Sequence, residues 1–179
     1  MVLISNFELV PKSESKILLI KHNEEPICPI CGERLIYRDC RKRIMRQYNG
    51  EIAHLIVRRL KCDHCGKLHT ELPDVITPHK HYAREIIENV VQDICTPDDP
   101  ETESYPCEKT MERWKDWIAS IKHQVDGRLR SVGHRILEFK DTLLFEKTSL
   151  LEKLMEDGAG WLAIISRDIY NSGDTWASL

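Results

Sequence analysis

The sequence has no apolar run close to the roughly 20 residues that a membrane-spanning helix requires. One aliphatic stretch, residues 17–20, has only four residues. The N-terminus lacks a basic segment followed by a long apolar one, which argues against a signal peptide. We therefore expect a cytoplasmic protein that does not enter a membrane. Disulfides are disfavoured in that reducing compartment, and an odd count of seven cysteines fits a disulfide framework poorly.

The chain also lacks a large net charge, an internal repeat and a low-complexity tract. Its 179 residues carry a formal net charge of -3, which excludes a uniformly basic nucleic-acid-binding chain. Hydrophobic residues make up 41% and charged residues 31%, an ordinary composition for a folded protein with a buried core. The length suffices for one domain of ordinary size or two small ones.

Four of the seven cysteines form two C-x-x-C pairs, and a glycine follows each pair. Zn²⁺ prefers four tetrahedral ligands with zinc–sulfur distances of about 2.3 Å, and two such turns that face each other supply four thiolates. Four protein ligands leave no open coordination position, so we expect a structural zinc and no enzymatic activity. The predicted ligands of this single zinc ion are Cys28, Cys31, Cys62 and Cys65.

Three other residues near the pairs are less suitable as ligands. Cys40 is out of step with both pairs, so we expect a small buried or idle thiol. His64 lies inside the second pair and should point outward, whereas His69 offers a substitute for one sulfur. Since a closed site takes four ligands, we interpret both histidines as non-ligands. The alternative of a redox C-x-x-C is disfavoured because such a motif occurs once, near a βαβ pattern.

The segment between the cysteine pairs is predicted to be β-structure. Strands are expected at residues 35–39, 43–47 and 51–60. The last two are joined at Asn49-Gly50, and an Asn-Gly pair between extended runs is a strong hairpin signal. Together with the zinc ligands, this pattern predicts a zinc ribbon.

Positive charge is concentrated in the same segment. From Arg34 to Lys67 there are ten Lys or Arg residues against three acids. Such a patch is the electrostatic footprint expected for contacts with DNA phosphates, although a solvated face of a small domain is the alternative. We favour double-stranded DNA as the partner. The candidate phosphate contacts in this segment are Arg41, Lys42, Arg43, Arg46, Arg58 and Arg59.

The second half of the chain is predicted to be helical. Residues 82–94 and 108–121 carry apolar side chains at spacings of three and four. This pair is compatible with a helix-turn-helix, whose second helix enters the major groove. Arg113 and Lys115 on that second helix are therefore further candidate DNA contacts. Later helices are expected at residues 128–140, at 150–157 behind a Ser149-x-x-Glu152 capping box, and at 161–170.

Several motifs together resemble a known family. Cys28-Pro-x-Cys-Gly, a basic stretch and Val57-Arg-Arg-Leu-Lys-Cys62-x-x-Cys65-Gly-x-x-His69-x-x-Leu72-Pro73 are similar to the N-terminal zinc finger of many insertion-sequence transposases. The chain is even more similar to small uncharacterised zinc-ribbon/helix-turn-helix proteins encoded beside transposase and integrase genes. Those proteins also place a Pro-x-x-x-Tyr linker (here residues 78–82) and an Arg-Trp-bearing helix (here Arg113-Trp114) after the finger. The resemblance implies DNA binding and mobile-element association.

The resemblance does not supply a nuclease. Transposase catalysis needs spaced carboxylates that hold two metals on a ribonuclease-H-like core. The chain has no βαβ run and no room for that core, so transposition chemistry is not expected.

We therefore predict an α+β protein in three parts. These are an N-terminal strand or arm (1–26), a β-rich Cys₄ zinc ribbon (27–72) and an all-helical domain (73–179), with a helix-turn-helix-like pair at 82–121 and C-terminal helices at 128–170. The predicted function is that of a non-enzymatic, zinc-dependent DNA-binding protein that regulates or assists a mobile element. A transposase, an integrase or another protein is a further candidate partner. The alternative is a protein–protein interaction adaptor whose ribbon and acidic helical part dock onto an enzyme.

Overall fold

The computed structural model describes residues 1–12, 16–48, 50–99, 106–136 and 148–176. Within these ranges, six strands precede four helices. The strands are β1 (Val2–Ile4), β2 (Phe7–Pro11), β3 (Ile17–His22), β4 (Leu35–Arg46), β5 (Ile52–Cys62) and β6 (Leu68–Pro73), and the helices are α1 (Arg84–Val91), α2 (Glu108–Ile136), α3 (Leu150–Glu156) and α4 (Trp161–Asn171).

Strand β5 is the centre of a six-stranded sheet. Along one edge it pairs antiparallel with β4 over its whole length, from Arg46 opposite Ile52 to Leu35 opposite Cys62. Its other edge is shared, because β3 pairs parallel with residues 54–56 and β6 pairs antiparallel with residues 59–61. Strand β2 extends the sheet beyond β3, and β1 lies parallel beside β6.

The sheet places the predicted arm and the predicted ribbon in one structure. Val2, Leu3 and Ile4 of β1 are buried, as is Ile20 of β3, so the first strands supply core residues. The predicted fold class, a β-rich zinc ribbon followed by an all-helical domain with a helix-turn-helix-like pair, is therefore wrong. The physical reason is that the apolar residues before the first cysteine pair join the same sheet as the hairpin.

The long strand β5 buries opposite faces at its two ends. Its first half directs Ala53, Leu55 and Val57 into one core cluster. Its second half directs Leu60 and Cys62 into another cluster, next to the first cysteine pair. Because side chains alternate along a strand, the change from odd to even positions marks a switch of the buried face. The switch explains why the apolar pattern of this stretch does not alternate regularly.

The β4–β5 hairpin agrees in part with the strands predicted for it. Residues 35–39 and 43–46 belong to one continuous strand, β4, with a register irregularity between Tyr37 and Asp39, and the predicted residue 47 lies just beyond its end. Of the predicted Asn49-Gly50 turn, Asn49 lies outside the described residues, and Gly50 has the left-handed φ of 72° that glycine favours.

The helices form a third core cluster that includes one residue of the sheet, Leu3. Helix α2 is continuous from Glu108 to Ile136, although two helices were predicted there. The predicted stretch 137–140 lies outside the described residues. The buried side chains of α2 pack in this cluster with those of α1, α3 and α4; they are Met111, Trp114, Ile118, Ile121 and Val125.

A helix-turn-helix is not present among the described helices. The predicted second helix does not form a compact unit with α1, because residues 92–107 separate the two and α2 runs on for 29 residues. Its apolar stripe was identified correctly, but the stripe packs against distant helices as well as α1. The domain boundaries predicted at residues 26–27 and 72–73 stay predictions.

The other helix predictions are mostly accurate. Ser149 is the N-cap of α3, and its hydroxyl accepts a hydrogen bond from the Glu152 N–H at 3.1 Å, which confirms half of the predicted capping box. Asn171 at the end of α4 hydrogen-bonds both backbone groups of Leu3, at 2.8 and 2.9 Å, and so joins this helix to β1. No helix in the described part of the chain is long and apolar enough to span a membrane.

Candidate metal centre and basic surface

The two C-x-x-C pairs form turns of the same geometry. In the first, the Cys28 N–H donates to the carbonyl of Glu33 at 2.7 Å, and the Gly32 N–H donates to the carbonyl of Cys28 at 2.9 Å. In the second, the corresponding bonds join Cys62 to Lys67 at 3.0 Å and Gly66 to Cys62 at 2.9 Å. Gly32 and Gly66 have φ angles of 78° and 72°, which glycine adopts without steric cost.

The sheet brings the two turns together. The first turn precedes β4 and the second follows β5, and Leu35 lies opposite Cys62 in the register of these strands. The resulting cluster contains the four predicted zinc ligands, whose sulfur atoms all lie within 4.8 Å of one another. The prediction that Cys28, Cys31, Cys62 and Cys65 converge is therefore confirmed.

The sulfur separations fit a tetrahedral metal site. Across the two turns, the Cys28 and Cys65 sulfurs are 3.6 Å apart, and those of Cys31 and Cys62 are 3.4 Å apart. Sulfurs at about 2.3 Å from a central zinc would be separated by about 3.8 Å. The four thiols are also free cysteines, because none of them forms a disulfide. The cluster can therefore hold a metal ion, with a soft donor set.

The backbone of each turn favours one thiolate. Burial opposes ionisation of Cys28, but hydrogen bonds from the backbone at Ile30 and Cys31 outweigh it and lower the pKa of this thiol to about 7. In the second turn, hydrogen bonding from the backbone of Cys65 lowers the pKa of Cys62. Backbone hydrogen bonds also favour the thiolates of Cys31 and Cys65, but burial and contacts with the other sulfurs outweigh them and raise the pKa of both thiols. Since thiolates are the metal-binding form of cysteine, one thiol of each turn is the more readily ionised ligand.

His69 lies beside the sulfur cluster, although it was interpreted from the sequence as a non-ligand. It is buried on β6, and its Nε2 lies 3.5 Å from the Cys28 sulfur. The distance is suitable for an imidazole N–H that donates to a thiolate, which is a contact outside the metal's own ligand shell. Its spacing from Cys65 was a signal of proximity, and burial lowers the pKa of its imidazole.

The two remaining candidates lie away from the sulfur cluster. Cys40 is exposed on β4, opposite Arg58 in the register. His64 is exposed in the second turn, as predicted for a residue that points outward.

The structure divides the predicted DNA contacts into two groups. Arg58 donates to both carboxylate oxygens of Glu71, at 2.7 and 2.8 Å. Arg59 forms a similar two-bond pair with Asp39, and the hydrogen bond from Arg59 lowers the pKa of that carboxyl group. A carboxylate therefore compensates the charge of each of these two guanidinium groups.

Glu71 is the centre of a buried charge network that the sequence did not reveal. Its side chain is 1% exposed, and His22 Nδ1 lies 2.6 Å from its Oε2. With Arg58, the network therefore joins β3, β5 and β6 across the sheet. A lone Glu in a short strand carries no sequence signal for burial, because its partners come from strands distant in the chain.

The second group consists of four cations on β4, here called the basic strand: Arg41, Lys42, Arg43 and Arg46. Arg41, Lys42 and Arg46 are exposed, and Arg43 is partly buried. Among the described residues, none of the four has a carboxylate within ion-pair distance. The Arg43 guanidinium donates to the Lys80 carbonyl at 2.9 Å, and that of Arg46 lies 5.6 Å from the ring centroid of Tyr82.

The two candidates on α2 do not join the basic strand by any described contact. Arg113 is exposed, and Lys115 forms an ion pair with Asp93. Since the described helices contain no helix-turn-helix, the reason for including these two residues no longer holds.

One known family matches the part of the chain that contains the candidate metal centre. Residues 28–114 match a family described as a domain of unknown function (DUF6431). The match extends over just under half of the chain and includes both cysteine turns, strands β4 to β6 and the start of α2. The description of that family names no ligand, activity or partner. No curated protein and no solved structure matches the chain.

Proposed function

We propose that this is a non-enzymatic protein in which one structural zinc ion holds a basic hairpin that binds double-stranded DNA. The single observation that supports DNA as the partner is the absence of carboxylate partners along the basic strand, in the described part of the chain. Other cations of the same hairpin, such as Arg58 and Arg59, are paired with acids. The basic strand therefore keeps its charge available for phosphates.

Zinc is the metal that the donor set favours. Four cysteine sulfurs in a tetrahedral arrangement are typical of structural zinc sites, and iron is the other common metal of such sites. Two of the four cysteines, Cys28 and Cys62, are almost completely buried. A closed sulfur cage leaves no position for water or substrate, which is the reason for proposing no enzymatic activity.

The placement of the basic strand suits a phosphate backbone. Strand β4 pairs with β5 along one edge only, and residues 81–83 cover its other edge near Arg46 alone among the described residues. Arg41 and Lys42 therefore lie on the uncovered stretch of this edge, and Arg46 is exposed although residues 81–83 pair with its backbone.

The proposed association with a mobile element rests on the sequence motifs alone. The motifs of the transposase-like zinc finger fall within the family match at residues 28–114, but that family's description does not mention transposition. We retain regulation or assistance of a mobile element as part of the proposal, with a transposase or integrase as the candidate protein partner. The adaptor alternative predicts that the same surface binds protein and not DNA.

The test is a salt titration of DNA binding, measured by fluorescence anisotropy with a labelled duplex. The wild-type protein is compared with the double variant Arg41→Gln/Lys42→Gln. Each phosphate contact contributes about 0.9 to the negative slope of log K against log salt concentration, so the double variant should lose about 1.8 of that slope.

The matched control replaces two exposed cations that have acid partners. Lys21 lies 2.9 Å from Glu8, and Arg34 lies 3.0 Å from Glu25. The variant Lys21→Gln/Arg34→Gln removes the same charge and should leave the slope almost unchanged. Absence of binding at low salt, or an equal loss of slope in the control, would refute the proposal.

A further inference from the structure

A short turn between β6 and α1 has an unusual backbone. The Lys80 N–H donates to the Thr77 carbonyl at 3.1 Å and closes the turn. Between them, His79 has a φ of 63°, a left-handed conformation that is uncommon for residues other than glycine. Strained positions of this kind persist where the surrounding structure fixes them, and they are frequent at binding sites.

A ring of aromatic contacts surrounds this turn. The Lys80 ammonium lies 4.2 Å from the centroid of Trp117, within the range of a cation–π interaction. Trp117 packs edge-on against Trp176 at 5.1 Å, and Trp176 packs against Tyr170 at 6.2 Å. Tyr170 lies 6.3 Å from His79, the neighbour of Lys80, so the contacts return to the turn.

Among the described residues, two buried N–H donors in this cluster lack an acceptor, and the buried Thr77 hydroxyl of the turn also lacks a partner. One N–H donor is Nε of Arg43, whose guanidinium reaches from β4 to the carbonyl of Lys80. The other N–H donor is the indole Nε1 of Trp176. Buried donors are normally paired, since an unpaired one has lost its bond to water without replacement. The oxygen atoms of a bound anion would supply the acceptors that these two donors lack.

The charge of the cluster also favours an anion. Lys80 and Arg43 are both partly buried, and no carboxylate of the described residues forms an ion pair with either. Burial lowers the pKa of Lys80 and, together with the neighbouring Arg41, that of Arg43. Partly desolvated cations without a counter-charge are unfavourable, and an external anion would compensate them.

We propose that Arg43, His79, Lys80 and Trp176 form a binding site for one phosphate-type oxyanion. Phosphate offers acceptor oxygens and negative charge, and Arg and Lys are the side chains that most often bind it. Trp117 would hold the Lys80 ammonium in place beneath the anion. The anion is either free phosphate or one phosphate of a nucleic-acid backbone. The site does not depend on the proposed function, because free phosphate satisfies the same groups.

The experiment measures binding of inorganic phosphate by calorimetry, at constant ionic strength set with sodium chloride. The wild-type protein should bind phosphate saturably. Lys80→Met keeps most of the length of the side chain and removes its charge, and it should weaken binding by about tenfold or more. Lys80→Arg should restore binding to within a fewfold of wild type, and the matched control Lys42→Met should bind as wild type does.

A second variant keeps the test decisive if Lys80→Met fails to fold. Trp176→Phe retains an aromatic ring and removes the Nε1 donor, so it should also weaken phosphate binding. No saturable binding by the wild type, or binding that neither Lys80→Met nor Trp176→Phe weakens, would overturn the proposal.

The source of the anion is distinguished by a DNA titration. If the site takes a backbone phosphate, free phosphate should compete with the duplex, and Lys80→Met should reduce the salt slope by about 0.9. If the site takes free phosphate, the variant should lose phosphate binding and keep its DNA affinity. Failure of the proposed DNA function would instead appear as no duplex binding by the wild type at low salt, or as an equal loss of slope in Arg41→Gln/Lys42→Gln and its control, with phosphate binding intact.

Discussion

Removal of the metal should unfold one end of the sheet and leave the helices folded. The core cluster around the cysteines contains only five buried hydrophobic residues, two of which, Cys28 and Cys62, are themselves proposed ligands. So small a cluster has little apolar area to stabilise it without a metal. The helical cluster contains sixteen buried residues and no proposed ligand. The effect of chelation should therefore be local.

The magnitude follows from the chemistry of the site. Zinc binding to comparable cysteine and histidine sites is worth on the order of 10 kcal/mol, and a whole domain is typically stable by about 5–15 kcal/mol. The free energy lost with the metal therefore exceeds the stabilisation that the small apolar cluster around the cysteines can provide. Strands β5 and β6 should separate first near Cys62, where the second cysteine turn connects them.

The assay is hydrogen–deuterium exchange with and without a strong chelator. Amides of residues 28–35 and 59–70 should lose protection, whereas those of α4 should keep it. Cys62→Ser should reproduce the effect of the chelator, and the matched control Cys40→Ser should not, because Cys40 is exposed and outside the sulfur cluster. Stoichiometric loss of metal with unchanged exchange in both segments would refute the reasoning.

Two further predictions concern a buried carboxylate and a helix cap. Glu71→Gln removes the buried negative charge and one of the two acceptor oxygens that face Arg58 and His22. It should cost about 3 kcal/mol in urea denaturation, the lower end of the range for broken buried pairs because Arg58 is partly solvated. The exposed control Glu8→Gln should cost less than about 1 kcal/mol, and equal costs would contradict this account. Ser149→Ala removes the hydroxyl that accepts from the Glu152 N–H and donates to Asp126, and it should cost about 1 kcal/mol or more. The exposed Ser120→Ala should be nearly neutral in the same assay.

The sulfur cluster was predictable because its information is local. Two residues between the cysteines and a glycine after each pair define each turn. A four-sulfur metal site then requires only that the two turns come together. The capping box at Ser149 was predictable for the same reason, since its residues lie within one turn of helix. In each case the interacting groups are close in sequence.

The sheet was not predictable in this way because its pairings join distant segments. Ile17 to Leu19 lie parallel to His54 to Ile56, and Val2 to Ile4 lie parallel to Glu71 to Pro73. Parallel pairs need long connections, so no turn signal marks them. The helix-turn-helix prediction failed similarly: the apolar spacing of α2 identified its buried face but not the distant helices that cover it.

Neighbouring cations in the sequence also acquired different environments. Arg58 and Arg59 form a run of positive charge, as do Arg41, Lys42 and Arg43. Among the described residues, however, only Arg58 and Arg59 of these five have acid partners. The difference arises at the point where β5 changes its buried face, between Val57 and Leu60, because the two arginines there reach acids on adjoining strands. Charge density in a sequence therefore overestimates the charge that a folded surface presents.

The metal centre and the basic strand are linked through strand register. Leu35 lies opposite Cys62 beside the sulfur cluster, and the same ladder continues to Arg46 opposite Ile52. A one-residue slip in a strand moves every side chain to the other face of the sheet. A metal bound by both turns fixes the relative position of β4 and β5 at one end, and so opposes such a slip along the whole hairpin. The zinc would then act on DNA binding indirectly, because it keeps Lys42 and Arg46 on the face where they are exposed.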